Sequence, residues 1–280
     1  MSVQPQLQGK VDVSKFDGAK IHVYEAPLDS ILVHSFIVEG PTKLVLFDSQ
    51  LLLPFAAELA DYIESIGKPL DRIIVSHAHP DHWSGLYRMH PRFPDAQIYA
   101  FKDIIAYMKA NGDEILRQRR AKTALGPNLA PEATLPTATL EPGSQVIDSV
   151  TYDFQALENG ESEHQTVVRL PDLGVLMVFD LVGSKSEHMF IVLPTFNPWI
   201  GALEALKAQQ FSTLLAGHGL PVQRSDIDAT IEYLRTAKEL YHQHSEPSPF
   251  AEAMIAAFPD RDHGEWIQFA ALMLYKVIDP

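Results

Sequence analysis

Cysteine is absent from the 280 residues. No disulfide, thiolate ligand or cysteine nucleophile is available, so any chemistry rests on nitrogen and oxygen donors. Basic side chains are scarce as well. Lysine and arginine number 22 against 36 aspartates and glutamates, a net charge of −14. A surface of that sign repels polyanions, and nucleic acid is not expected as a partner. It still leaves room for a local cationic centre that accepts one anionic group. No apolar run approaches the roughly 20 residues that span a bilayer. Residues 1–10 are polar and lack the apolar segment of a secretory leader. A cytoplasmic location without a membrane partner is the expectation.

What is there is an ordinary apolar fraction of 46%, enough for one large domain or a domain with an appendage. Residues 1–16 read as a weakly ordered arm. Residues 20–25, 31–38 and 43–47 read as strands, separated by turn residues. Phe55, Leu59, Tyr62, Ile63 and Ile66 recur at helical spacing and stop before Gly67-Lys68-Pro69. A strand at 72–75, a short helix at 83–89 and a strand at 97–100 follow. Residues 102–119 read as a helix loosened at Asn111-Gly112, with a solvated charged face over 114–120. Residues 121–143 are rich in proline, alanine and threonine without periodicity. They read either as a functional lid or as a tethered connection. Further strands are expected at 146–157, 166–170, 175–179 and 211–215, and a helix at 199–209. The tail reads as helices over 225–241, capped by Ser225, and over 250–258 and 264–277. Periodicity supports an α/β layered domain.

The chemistry concentrates in Ser76-His77-Ala78-His79-Pro80-Asp81-His82, directly after the β-branched run at 72–75. His77 and His79 are two apart, so an extended segment projects them to one side. Pro80 lacks an amide donor and breaks the strand, which lets Asp81 and His82 turn back as a helix begins. Imidazole and carboxylate are the donors of zinc, iron and manganese sites. A histidine-rich surface loop is the bland alternative.

The pattern His77-x-His79-x-Asp81-His82 resembles the signature of the metallo-β-lactamase-fold hydrolase superfamily. Further motifs resemble the family's in order: Asp48 after 43–47, Asp180 after 175–179, and His218 in Ala216-Gly217-His218-Gly219. The resemblance implies an αββα sandwich spanning residues 1–224, with 225–280 as a helical extension packed on it. It implies two divalent ions. His77, His79 and a third ligand hold one; Asp81, His82 and His218 hold the other; Asp180 bridges them. Zinc is the first expectation, with manganese and iron open. Asp81 is the candidate to orient the attacking water or carry its proton, and Asp48 to fix a histidine through its other ring nitrogen.

The family's third histidine is missing from its usual place. Counting back from the turn at Pro171 lands on Glu161, in Gly160-Glu161-Ser162-Glu163-His164, while His164 falls three residues late. Either Glu161 ligates in histidine's stead or the loop is rearranged and His164 ligates; Glu161 needs no change of loop length. Alkyl-sulfatase members resemble this case. His188 is a second catalytic candidate, able to reach substrate or donate a proton, unless it is a solvated loop histidine. Trp83, Phe196 and Trp199 read as pocket or core, and His22, His34, His90, His242, His244 and His263 as structural. The expected activity is metal-dependent hydrolysis of a small ester, lactone or thioester. Alternatives are a sulfatase-like hydrolase, an iron-dependent redox member of the fold, and a degenerate ligand-binding member. A small-molecule substrate is expected as the partner, with a homodimer open.

Overall fold

The computed structural model describes residues 8–122 and 125–278. The chain divides into two compact units, Met1–Ala156 with Thr166–Leu173, and Leu157–Gln165 with Gly174–Pro280. The expected α/β class with two sheets is what the structure shows.

Unit 1 is built on a seven-stranded sheet. Its strands are β1 (Lys10–Phe16), β2 (Ala19–Glu25), β3 (His34–Glu39), β4 (Leu44–Phe47), β5 (Leu70–Ile74), β6 (Gln97–Ala100) and β7 (Ala138–Thr139), in that spatial order. β1 to β4 pair antiparallel, and β4 to β7 pair parallel. The parallel pairs require crossovers, which helices supply. The first is α1 (Leu53–Ile66), whose Phe55, Ala56, Leu59, Ala60 and Ile63 are buried and which Gly67 ends at φ 78°. The others are α2 (Pro80–Trp83) with α3 (Leu86–Arg92), and α4 (Lys102–Lys122). The same unit holds a hairpin of the second sheet, β8 (Gly143–Ile147) with the first residues of β9 (Val150–Glu158). Phe47 of β4 stacks on Tyr152 of β9 with ring centroids 6.2 Å apart, which packs the two sheets against each other within the unit.

Three expectations change here, and one open alternative is decided. The arm at 1–16 is a strand from Lys10 onward, because β2 offers it a full antiparallel ladder; residues 1–7 lie outside the described chain. The strand expected at 146–157 is a hairpin. Asp148 and Ser149 take φ of 47° and 69° and make its two-residue turn without glycine. Helix α4 runs unbroken through Gly112. A Cβ there would sit 3.0 Å from the Ala133 Cβ, so the glycine serves close packing and not a break. The stretch 121–143 is anchored at several described residues; Thr123 and Ala124 lie outside the described residues. Ala130 N–H donates to Ser84 Oγ, Ala133 N–H to Asp113, and Thr137 N–H to the Ile98 carbonyl. Those bonds make it a strapped connection and not a loose lid.

A buried polar cluster staples the antiparallel strands. Burial alone would raise the Glu39 carboxyl, but hydrogen bonds from Lys68 (2.8 Å), Lys20 (3.0 Å) and His22 (2.9 Å) pull it down to about 2. Burial also lowers the pKa of His22, so it stays neutral, taking the Tyr62 hydroxyl proton at Nδ1 and donating Nε2–H to Glu39. A carboxylate whose folded pKa lies below its unfolded one stabilises above the unfolded value and loses that as pH falls through the folded one. Glu39→Gln should therefore lower unfolding free energy at pH 7 by about 2 kcal/mol. The gap to the native chain should close between the ordinary glutamate pKa and pH about 2. Urea unfolding at stepped pH reads this; a gap that widens on acidification would reverse the assignment.

Unit 2 holds the parallel pair β11 (Val175–Phe179) and β12 (Thr213–Ala216), the latter reached through α5 (Phe196–Lys207). Strand β10 (His164–Leu170) starts in this unit and continues in unit 1. Three helices follow, α6 (Arg224–Gln243), α7 (Pro247–Ala257) and α8 (Gly264–Leu274). The α6 cap is Gln223, which forms a reciprocal capping box with Asp226, and not Ser225. Ile227, Ile231 and Leu234 face inward as their spacing requires. No helix among the described residues is long and apolar enough to cross a membrane.

Candidate metal centre

In unit 1 the ligand motif leaves the end of β5, where the parallel pairing with β4 places Ile74 beside Phe47. The two chain segments that follow these strands therefore meet. Asp48 takes φ 61°, a left-handed conformation uncommon outside glycine. Its carboxylate is fully buried and accepts Ser76 N–H at 2.8 Å, Ser76 Oγ–H at 2.7 Å and His82 Nδ1–H at 2.7 Å. Burial raises this carboxyl, and His82 and Ser76 offset the rise. Ser76 has spent its proton on Asp48, so at 2.9 Å its Oγ accepts from His77 Nδ1–H. Both histidines are thereby fixed in the tautomer that presents Nε2 as a ligand.

Those nitrogens point at other donors. His77 Nε2 lies 3.1 Å from His79 Nδ1, and His82 Nε2 lies 3.3 Å from Asp81 Oδ2. Trp83 Nε1–H binds the Ala78 carbonyl at 2.8 Å and closes the turn that makes this possible. Gly85 is obligatory beside it. A Cβ there would meet the Ser49 carbonyl oxygen at 1.8 Å, and Ser49 N–H is bonded to the His82 carbonyl at 2.8 Å. On α4, Arg119 departs from the solvated face expected for it. Burial lowers its pKa, and the nearby Asp81 carboxylate opposes that.

Unit 2 carries the other candidates. The β11–β12 register sets Phe179 beside Ala216, and Gly217 N–H donates to the Phe179 carbonyl at 2.9 Å. Asp180 and His218 follow those residues directly, and His218 Nε2 lies 3.1 Å from Asp180 Oδ2. Glu161 is buried, and one of its carboxylate oxygens lies within 4.8 Å of one from Asp180. Glu161, Asp180, His188 and His218 line one small, partly open cavity of about 30 Å³ together with Val182, Glu187, Phe190 and Trp266. His164 begins β10, half-buried, and does not line it.

His188 is not the solvated loop histidine of the bland reading. It is buried, with Nδ1 3.0 Å from the Tyr233 hydroxyl, and burial beside Arg261 pulls it down to about 4 against an opposing Glu265. Sequence reasoning did not single out Glu187, Tyr233 or Trp266, and His263, read as structural, stacks on Trp266. Tyr233, His263 and Trp266 lie far along the chain from any ligand motif, and no local pattern announces them. Trp83 and Trp199 are fully buried core residues whose indole N–H groups bind backbone carbonyls.

The family model of the Metallo-beta-lactamase superfamily matches residues 29–218. No curated protein sequence matches. Among solved structures, a metallo-beta-lactamase from Pontibacter korlensis superposes with a TM-score of 0.63 at 16% identity, covering 81% of this chain and 99% of its own. The FIM-1 metallo-beta-lactamase from Pseudomonas aeruginosa, solved in a mono-zinc form, gives 0.57 at 18%, covering 81% and 96%. At such identities the likeness concerns the fold.

Proposed function

The chain belongs to the metallo-beta-lactamase superfamily, and from that membership we propose a binuclear metallo-hydrolase of small esters, lactones or thioesters. His77, His79, Asp81 and His82 of unit 1, and Glu161, Asp180 and His218 of unit 2, would supply the ligands for divalent ions; each set combines donor types suited to such ions. The observation that carries the reading is the buried network in which His77 reaches Asp48 through Ser76 and His82 bonds Asp48 directly, which spends both Nδ1 atoms and reserves both Nε2 atoms for ligation.

A divalent ion bound there would polarise the scissile bond and acidify water. The chain's own residues do the rest. Asp81, beside His82, orients the attacking water and takes its proton. Asp48 keeps His82 from rotating. Three carboxylates among the ligands partly neutralise the ions, so metal selection extends from zinc toward manganese and iron. The apolar and aromatic part of the unit 2 cavity suits an uncharged organic substituent. Glu161 keeps the sulfatase-like alternative in play.

The test is metal analysis of the purified chain, with turnover measured on lactones, thioesters, p-nitrophenyl esters, aryl sulfates and phosphodiesters under zinc, manganese and iron. Ester or lactone turnover that tracks metal content supports the reading. Two irons with visible absorption and no hydrolysis would replace it with redox chemistry, and no bound metal with a ligand-binding role.

A further inference from the structure

The matched family region ends at residue 218, yet Trp266 beyond it lines the unit 2 cavity. The segment before α8 is bonded to the chain that carries His188. Asp262 N–H donates to the Ser186 carbonyl at 2.8 Å, His188 N–H to the Asp262 carbonyl at 2.9 Å, and Arg261 to the Glu187 carbonyl at 2.8 Å. The Trp266 ring stacks on Phe190 with centroids 5.2 Å apart and on His263 at 4.5 Å. Tyr233 of α6 lies fully buried under the guanidinium of Arg261.

These contacts fix the protonation of His188. Burial raises the Tyr233 phenol, so it keeps its proton, and its oxygen already accepts Met189 N–H. Its proton goes to Nδ1 of His188, 3.0 Å away. The imidazole, neutral above pH about 4, therefore carries its own proton on Nε2. That atom is buried and has no hydrogen-bond partner among the described residues. It sits on the opposite side of the ring from Tyr233, in a residue that lines the cavity. An unmet buried donor costs stability unless a ligand uses it.

We propose that His188 is a catalytic hydrogen-bond donor, its Nε2–H bonding the carbonyl oxygen of the bound substrate. Tyr233 is its positioning residue, and Trp266 and Phe190 receive the substrate's apolar substituent. The appended helices are thus part of the active site. This rests on the proposed hydrolase reading, and it deepens that reading by naming a carbonyl-bearing, apolar-substituted substrate.

The test uses the full chain labelled with 15N-histidine, the His188 signals being assigned by their loss in His188→Gln. Long-range 1H–15N spectra are expected to show the Nε2–H tautomer from pH 5 to 8. ε-Caprolactam, a lactone analogue that resists hydrolysis, should shift that proton and quench fluorescence that is lost in Trp266→Phe. In the metal-loaded enzyme His188→Ala should lower kcat/KM about 100-fold, as loss of one transition-state donor does, with unchanged metal content. His188→Gln should recover part of this, and Tyr233→Phe should lower kcat and release the tautomer. An Nδ1–H tautomer, a proton indifferent to caprolactam, native kcat/KM in His188→Ala, or lost metal in that variant would each overturn the proposal. If the native chain hydrolyses nothing, the hydrolase reading falls, and the tautomer and lactam titration decide the donor role alone.

Discussion

Replacing Asp180 with alanine is expected to remove most bound metal and to lower kcat/KM by about 1000-fold, beyond the 10–100-fold that groups behind the ligands command. By the superfamily resemblance Asp180 would be the ligand common to both ions. It follows Phe179, whose φ of 48° turns the chain sharply out of β11, and its carboxylate meets His218 at 3.1 Å. Metal content and rate should therefore fall together. Stability separates this from a folding defect. Without metal, the buried carboxylates repel one another, so the metal-free Asp180→Ala chain should melt no lower than the metal-free native chain. Added zinc or manganese should raise the native melting temperature and leave the variant's unmoved, because an ion stabilises only what binds it. Asp180→Asn keeps the shape and should behave like alanine. Retained stoichiometry and rate in either variant would remove Asp180 from the ligand set.

The ligand motif was legible because its geometry is local. A strand, a proline and four donors in succession set their own directions, and the β5–α2 junction agrees with them. Asp48, Asp180 and His218 were legible only through their positions at strand ends, since no neighbouring residue marks any of them. What stayed hidden was decided by partners distant in sequence. The polar, weakly alternating segment at Lys10–Phe16 becomes a strand because β2 is there to pair with it. Gly112 reads as a helix breaker until Ala133 shows what occupies the space. The turn at Asp148-Ser149 carries no glycine or asparagine, so one long strand was the natural reading of a hairpin. For His188 the sequence left a catalytic role and a solvated loop open, because Tyr233 lies 45 residues on and Arg261 further still.

The sharpest test of the metal scheme concerns Glu161, which stands where the superfamily resemblance places a histidine. Glu161 is buried and lines a cavity with Asp180 and His218, whereas His164 is half-buried at the start of β10 and does not. That placement favours the carboxylate as third ligand. Glu161→Gln keeps the size and removes the charge, and it should weaken metal affinity by about 10–100-fold, since a neutral amide oxygen is a poorer donor than a carboxylate. Glu161→His should keep metal and shift preference toward zinc, because an added imidazole in place of an anion restores positive charge at the ion. The same loss of negative charge should lower the apparent pKa in the pH–rate profile, because less anionic ligation leaves the ion more acidic toward water. His164→Ala should leave metal content within about twofold, as expected of a partly solvated residue outside the ligand set. Titration with zinc and with manganese, followed by metal analysis, ranks the three variants. If His164→Ala strips the metal while Glu161→Gln is silent, the loop ligates through His164. If all three bind as the native chain does, neither residue ligates, and the first ion rests on His77, His79 and Asp180 alone.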